Sequence, residues 1–86
     1  MTIKEEIQMS TKNYADVYKY VPIKYLYDFI EENPALYPIL NEIDSGYAKA
    51  MLTKYLKNNK GFSLFRTAKQ TNHLGCIFKL KPIRRV

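Results

Sequence analysis

The amino-acid sequence predicts an α+β fold, a small helical domain that closes with a C-terminal two-stranded antiparallel hairpin. Three observations predict it. Apolar residues recur at the i, i+3, i+4, i+7 spacing of buried helix stripes as far as residue 59. After Gly61 the period drops to two, the side-chain period of a strand. The prolines at 22, 34 and 38 and the glycines at 46, 61 and 75 all fall between the periodic runs, where a restart or a tight turn suits them. A chain of 86 residues is of single-domain size. Because a domain this small buries only about 60% of its unfolded surface, nearly every large apolar side chain is committed to one core.

Residues 1–10 read as a flexible or weakly helical N-terminal arm anchored by Ile3 and Ile7, and 11–86 as a single compact helix-plus-hairpin unit. Ser10 or Thr11 caps a helix running to about Tyr20, with Tyr14, Val17, Tyr18 and Val21 as its stripe. Pro22 restarts the chain in the first turn of a second helix, where its missing N–H costs no hydrogen bond. Ile23, Leu26, Tyr27 and Ile30 form the next stripe until Asn33 and Pro34 end it. Pro38 opens a short helix reaching about Ile43, and Asp44-Ser45-Gly46 breaks it.

A third substantial helix, 46–59, is capped by Asp44 or Ser45 and closed by Asn58-Asn59. Tyr47, Ala48, Met51, Leu52, Tyr55 and Leu56 share one arc, and Lys49, Thr53, Lys54, Lys57 and Lys60 the other. Past Gly61, Phe62, Leu64 and Arg66 alternate with Ser63, Phe65 and Thr67, and Cys76, Phe78 and Leu80 alternate with Ile77, Lys79 and Lys81 before Pro82. The two runs pair around the polar loop TAKQTNHLG. A two-stranded sheet survives only with one face on the helices. Phe62, Leu64, Phe78 and Leu80 take that face, which leaves Phe65 and Ile77 exposed and gives a single-strand stacking platform little support.

Charge divides the chain as sharply as periodicity does. Residues 1–44 hold all eight acids against four lysines, a formal −4, whereas 45–86 hold ten Lys or Arg and no acid, a formal +10, for a total of +6. Crowded cations of this kind attract a polyanion or an acidic protein surface. A short helix, a break containing Gly, a longer basic helix and a basic hairpin follow the order of a helix-turn-helix with a wing, so the fold is expected to be winged-helix-like. Lys49, Thr53, Lys54, Lys57 and Lys60 then face bases or phosphates, and Lys69 and His73 at the wing tip follow the backbone or the minor groove. Arg66, Lys79, Lys81, Arg84 and Arg85 add charge outside the helix. Lysines are hydrated point charges suited to phosphate rather than to bidentate base readout, so the expected affinity is largely non-specific and steeply salt dependent.

The expected function is therefore non-catalytic nucleic-acid binding by a small DNA-binding regulator. The alternative is a small inhibitor or modulator that docks on the acidic surface of a partner protein, such as a nucleic-acid-processing enzyme. Eight tyrosines and no tryptophan suit such an interface. Its candidate anchors are Tyr25, Phe29 and Tyr37, off the principal stripes, together with Phe65 and Ile77. Asp28, Glu31 and Glu32 form an acidic patch that reads first as helix solvation, and opposite patches leave a homodimer open.

Catalysis is the weakest class. His73 and Cys76 are the only histidine and cysteine, too few for zinc, and Cys76 on the apolar strand face reads as a small buried hydrophobe. Glu5-Glu6 and Glu31-Glu32 are adjacent pairs whose carboxylates point about 100° apart on a helix. No glycine-rich phosphate loop exists, so no metal or cofactor is expected. A lone cysteine, an acidic start without an apolar run and the lack of about 18 consecutive apolar residues point to the cytoplasm and away from the membrane.

Overall fold

Thr2 and Glu5, rather than Ser10 or Thr11, start the first helix in the computed structural model of the chain, which describes residues 1–71 and 73–81. The Thr2 hydroxyl accepts from the Glu5 N–H at 3.2 Å, and the Glu5 carboxylate accepts from the Thr2 N–H at 2.9 Å. This capping box satisfies two otherwise orphaned donors and lets helix α1 run from Ile3 to Ala15 through the region read as a flexible or weakly helical arm. Ser10 and Thr11 are buried within it. Ser10 Oγ donates to the Ile7 carbonyl at 3.1 Å, but Thr11 Oγ1 has no partner among the described residues. An isosteric methyl there removes an unmet polar group. Thr11→Val is expected to stabilise the protein by about 1 kcal/mol, seen as a higher urea midpoint at unchanged slope.

The expected helix to Tyr20 does not form. Helix α1 stops at Ala15, and the N–H groups of Val17 and Tyr18 both turn back to the Tyr14 carbonyl. Pro22 pushes the residue before it out of the helical region, so the chain is extended over Tyr20–Pro22, strand β1. Val17 and Tyr18, expected in a stripe, are 73% and 53% exposed.

Helix α2 (Ile23–Glu31) buries Ile23, Leu26, Tyr27 and Ile30, as its periodicity predicts. Helix α3 (Pro38–Glu42) and helix α4 (Ser45–Lys57) follow, the latter capped by Asp44, whose carboxylate accepts from the Tyr47 N–H at 3.1 Å. Strand β2 (Phe62–Arg66), the short helix α5 (Ala68–Thr71) and strand β3 (Ile77–Leu80) complete the described chain. The protein is thus a small α+β domain with five helices and an antiparallel sheet among its described residues.

That sheet has three strands in the order β1-β3-β2, not the two expected. Tyr20, Val21 and Pro22 pair with Lys79, Phe78 and Ile77. As an edge strand, β1 tolerates the proline that cannot donate to the ladder. On the other side Phe62 and Leu64 pair with Leu80 and Phe78, and a bulge follows between Leu64 and Arg66. Val21 and Phe78 are buried under the helices and Phe62 packs at the core margin, but Leu64 and Leu80, expected on the buried face, are 47% and 37% exposed. Burial centres on Val21 and Phe78 and does not extend to Leu64 of β2 or to Leu80 at the end of β3.

The segment before β3 also satisfies the start of α2. The N–H groups of Ile23 and Lys24 donate to the carbonyls of Cys76 and Leu74 at 3.0 and 3.1 Å. Gly75, between those carbonyls, has φ +70, a conformation that costs glycine little and other residues about 1 kcal/mol or more.

One core joins Ile7 and Tyr14 of α1, Val21, the α2 stripe, Leu40 of α3, Ala48, Leu52 and Leu56 of α4, and Phe78. Two polar contacts lock α1 onto α3 and its approach. The Glu6 carboxylate, fully buried, accepts from the N–H groups of Ile39 and Leu40 at 3.1 and 2.9 Å. Asn13 Nδ2 donates to the Tyr37 hydroxyl at 2.9 Å. Tyr37 is fully buried, which corrects its expected place among the exposed anchors. Among the described residues no helix is long and apolar enough to cross a membrane.

Candidate nucleic-acid interface

Lys24 and Asp28, 3.3 Å apart on exposed turns of α2, form the only ion pair among the described residues. Lys49, Lys54, Lys57, Lys60, Arg66, Lys69, Lys79 and Lys81 therefore keep their charge unmatched by a carboxylate contact. Four of the eight acids are used within the fold: Glu6 holds α3, Glu5 and Asp44 cap helices, and Asp28 takes Lys24, whereas Asp16 shares a hollow with Lys79 and Lys81 without an ion pair among the described residues.

Helix α4 divides into three strips, an apolar one and two that carry lysine. Its inner strip is Ala48, Leu52 and Leu56, and the strip facing away from the core is Gly46, Ala50, Lys54 and Lys57, all exposed. Two small side chains beside two lysines leave the helix backbone open to close approach. On one flank Lys49 and Thr53 border a groove of about 480 Å³ whose far wall is the loop segment His73, Leu74 and Gly75. The Lys49 ammonium lies 5.2 Å from the centroid of the Tyr27 ring, and Thr53 Oγ1 donates to the Lys49 carbonyl at 2.8 Å. Burial first, then the nearby acids Glu31 and Asp44, push the Tyr27 hydroxyl above its ordinary 10.0, so the ring under Lys49 stays neutral. Lys49 and Thr53 are thus partly engaged within the domain, whereas Lys54 and Lys57 are not.

The remaining basic candidates do not converge on that groove. Lys54 and Lys60 border a broader hollow between the start of α1 and α4, lined also by Ile3, Met51 and Tyr55. Tyr47, expected on the apolar arc, stands on its rim and is 60% exposed. Lys69 lies exposed on α5, and Lys79 and Lys81 meet Lys19 near the end of α1. Arg84 and Arg85 lie outside the described residues.

Third-strand pairing builds a second surface that the sequence did not reveal. Tyr20 of β1 and Phe65 of β2 approach to 4.9 Å between ring centroids on the sheet face away from the core. Arg66 sits 5.2 Å from the Phe65 ring, and the Lys79 ammonium 5.9 Å from the Tyr20 ring. Phe65 is 46% exposed, as expected, and Ile77 only half-buried. Tyr20 was missed because a helix was expected there; the signal for a strand was Pro22. The rings engage each other and two cations, so they offer edges and charge more than free stacking faces.

Tyr25 is 48% exposed and Phe29 half-buried, and both line a hollow between α1 and α2. His73 is exposed and Cys76 packs half-buried at the core margin rather than inside it. Among the described residues no cluster of three His, Cys, Asp or Glu side chains is placed to hold a metal ion.

Comparison with known proteins finds no matching family model, curated protein or solved structure.

Proposed function

We propose that the domain is winged-helix-like and binds double-stranded nucleic acid without catalysis, through the outer strip of α4 and the β2–β3 connection beside it. The observation that carries this reading is the row Gly46, Ala50, Lys54 and Lys57: exposed, free of acids, and bounded by a groove with Lys49 and His73 on its walls. A helix about 10–12 Å across with side chains fits the major groove, and lysines along it meet phosphates. The element order, with β1 and β2 flanking β3, supports the reading because it sets the basic helix directly before the strand pair that would form the wing.

Fluorescence anisotropy with labelled duplex DNA is the test. Binding is expected at about 50 mM salt and is expected to fall by orders of magnitude towards about 200 mM as phosphate counterions are released less favourably. No binding at the lower salt overturns the reading.

The exposed pair Tyr20 and Phe65, with Arg66 and Lys79 against them, favours a second reading: an inhibitor or modulator that docks on an acidic partner protein through the outer sheet face. Loss of DNA binding through α4 variants, with Phe65→Ser unaffected, separates the two surfaces.

A further inference from the structure

Helix α2 turns its Ile23, Leu26, Tyr27 and Ile30 stripe to the core, and the opposite arc is aromatic and acidic. There Tyr25, Asp28, Phe29 and Glu32 meet Tyr14 and Tyr18 around a hollow of about 320 Å³. The Tyr14 and Tyr18 rings lie 4.7 Å apart at 35°, and Phe29 stands edge-on to Tyr14 at 5.8 Å. Tyr14 is only 7% exposed and lines the hollow, and its hydroxyl makes no hydrogen bond among the described residues. Burial, with Tyr18, Tyr25 and Asp28 close by, raises that hydroxyl above its ordinary 10.0, so it remains an O–H able to donate and accept. Asp28 meets Lys24, and Glu32 has no ion pair among the described residues.

Ring faces carry negative quadrupole potential, and the carboxylates of Glu32 and of Asp28, the latter shared with Lys24, add to it, so the hollow disfavours anions and rewards an organic cation. A neutral apolar ligand would desolvate the carboxylates without return. Between the common cations, guanidinium is planar, weakly hydrated and able to stack on a ring while its N–H fork meets a carboxylate, whereas an ammonium keeps a tight water shell. We propose that the hollow between α1 and α2 receives an arginine side chain presented by a partner polypeptide. This pocket shares no residue with the α4 surface, so it stands whether or not the domain binds nucleic acid.

The experiment is a titration of the ¹⁵N-labelled protein with the blocked tripeptide Gly-Arg-Gly, followed by amide shifts, beside peptides carrying citrulline or lysine in place of arginine. Saturable shifts centred on Tyr14, Tyr18, Tyr25 and Phe29, with Kd of about 1–10 mM, are expected for arginine, and at least about tenfold weaker binding for citrulline. Glu32→Gln and Tyr25→Ala change exposed side chains, so both variants should keep the wild-type amide spectrum elsewhere while weakening arginine binding about fivefold or more. Absence of saturable shifts, equal binding of citrulline, or lysine binding as tightly as arginine overturns the proposal.

Discussion

Replacing Lys54 and Lys57 together by glutamate is expected to weaken duplex binding by at least about 100-fold at moderate salt, and to lower the salt slope by about two. Both lysines are exposed on the strip of α4 that faces away from the core, and neither has an ion pair or cation–π partner among the described residues. Each phosphate contact releases about one counterion, and reversal replaces that gain by repulsion. Every duplex should be affected alike, because lysine meets phosphate rather than base edges. The two residues also lie in the last turn of α4, where cations favour the helix dipole, so each reversal costs about 0.3–1 kcal/mol of stability. Lys54→Ala with Lys57→Ala avoids most of that cost and should still lower the slope by about two. An unchanged slope in either variant would remove α4 from the interface. Lys49 is a poorer probe, since its ammonium rests over the Tyr27 ring and its loss would disturb packing as well as charge.

Glu6→Ala is expected to cost about 3 kcal/mol and to lower Tm by about 10–20 °C. The carboxylate is fully buried and holds the first free N–H groups of α3, at Ile39 and Leu40. Charged acceptors make the stronger hydrogen bonds, and their removal leaves one buried and one partly buried donor unmet in a helix of five residues that cannot satisfy them itself. Glu6→Gln keeps one carbonyl acceptor and should recover about half of the loss. Its neighbour supplies the control: Glu5→Ala loses only the exposed half of the capping box and should cost about 1 kcal/mol. Thermal unfolding of the three variants tests the ranking, and equal losses for Glu5→Ala and Glu6→Ala would show that Glu6 acts only within α1.

The contrast between these adjacent glutamates explains what was legible beforehand. Both belong to one helix, and the Thr2-x-x-Glu5 pattern could have been read from the chain as a start signal. Nothing local marks Glu6, whose partners lie more than thirty residues away. The same holds for the tyrosines. Tyr25 and Phe29 were identifiable as off-stripe residues of α2, but Tyr37 sits equally off any stripe and is fully buried, because Asn13 of α1 meets its hydroxyl. At the candidate interface, the basic arc of α4 was readable from 3.6-residue periodicity. The separation of Lys49 and Thr53 from Lys54 and Lys57 depended on where α2 and the loop before β3 come to rest against the helix.

The sequence by itself determined α2 and α4 through their apolar stripes, α3 through the proline that opens it, the change to strands after Gly61, and the concentration of positive charge beyond Asp44. Each follows from residues within a few positions of one another, where spacing and backbone preference suffice. Only the tertiary structure decided that Tyr20–Pro22 becomes a third strand, that Glu6 serves α3, and that Tyr14 and Tyr18 come against Tyr25, Asp28, Phe29 and Glu32 around an aromatic, acidic hollow. Those outcomes depend on hydrogen bonds and ring contacts between segments far apart in the chain, which form only when burial of the common core brings the segments together.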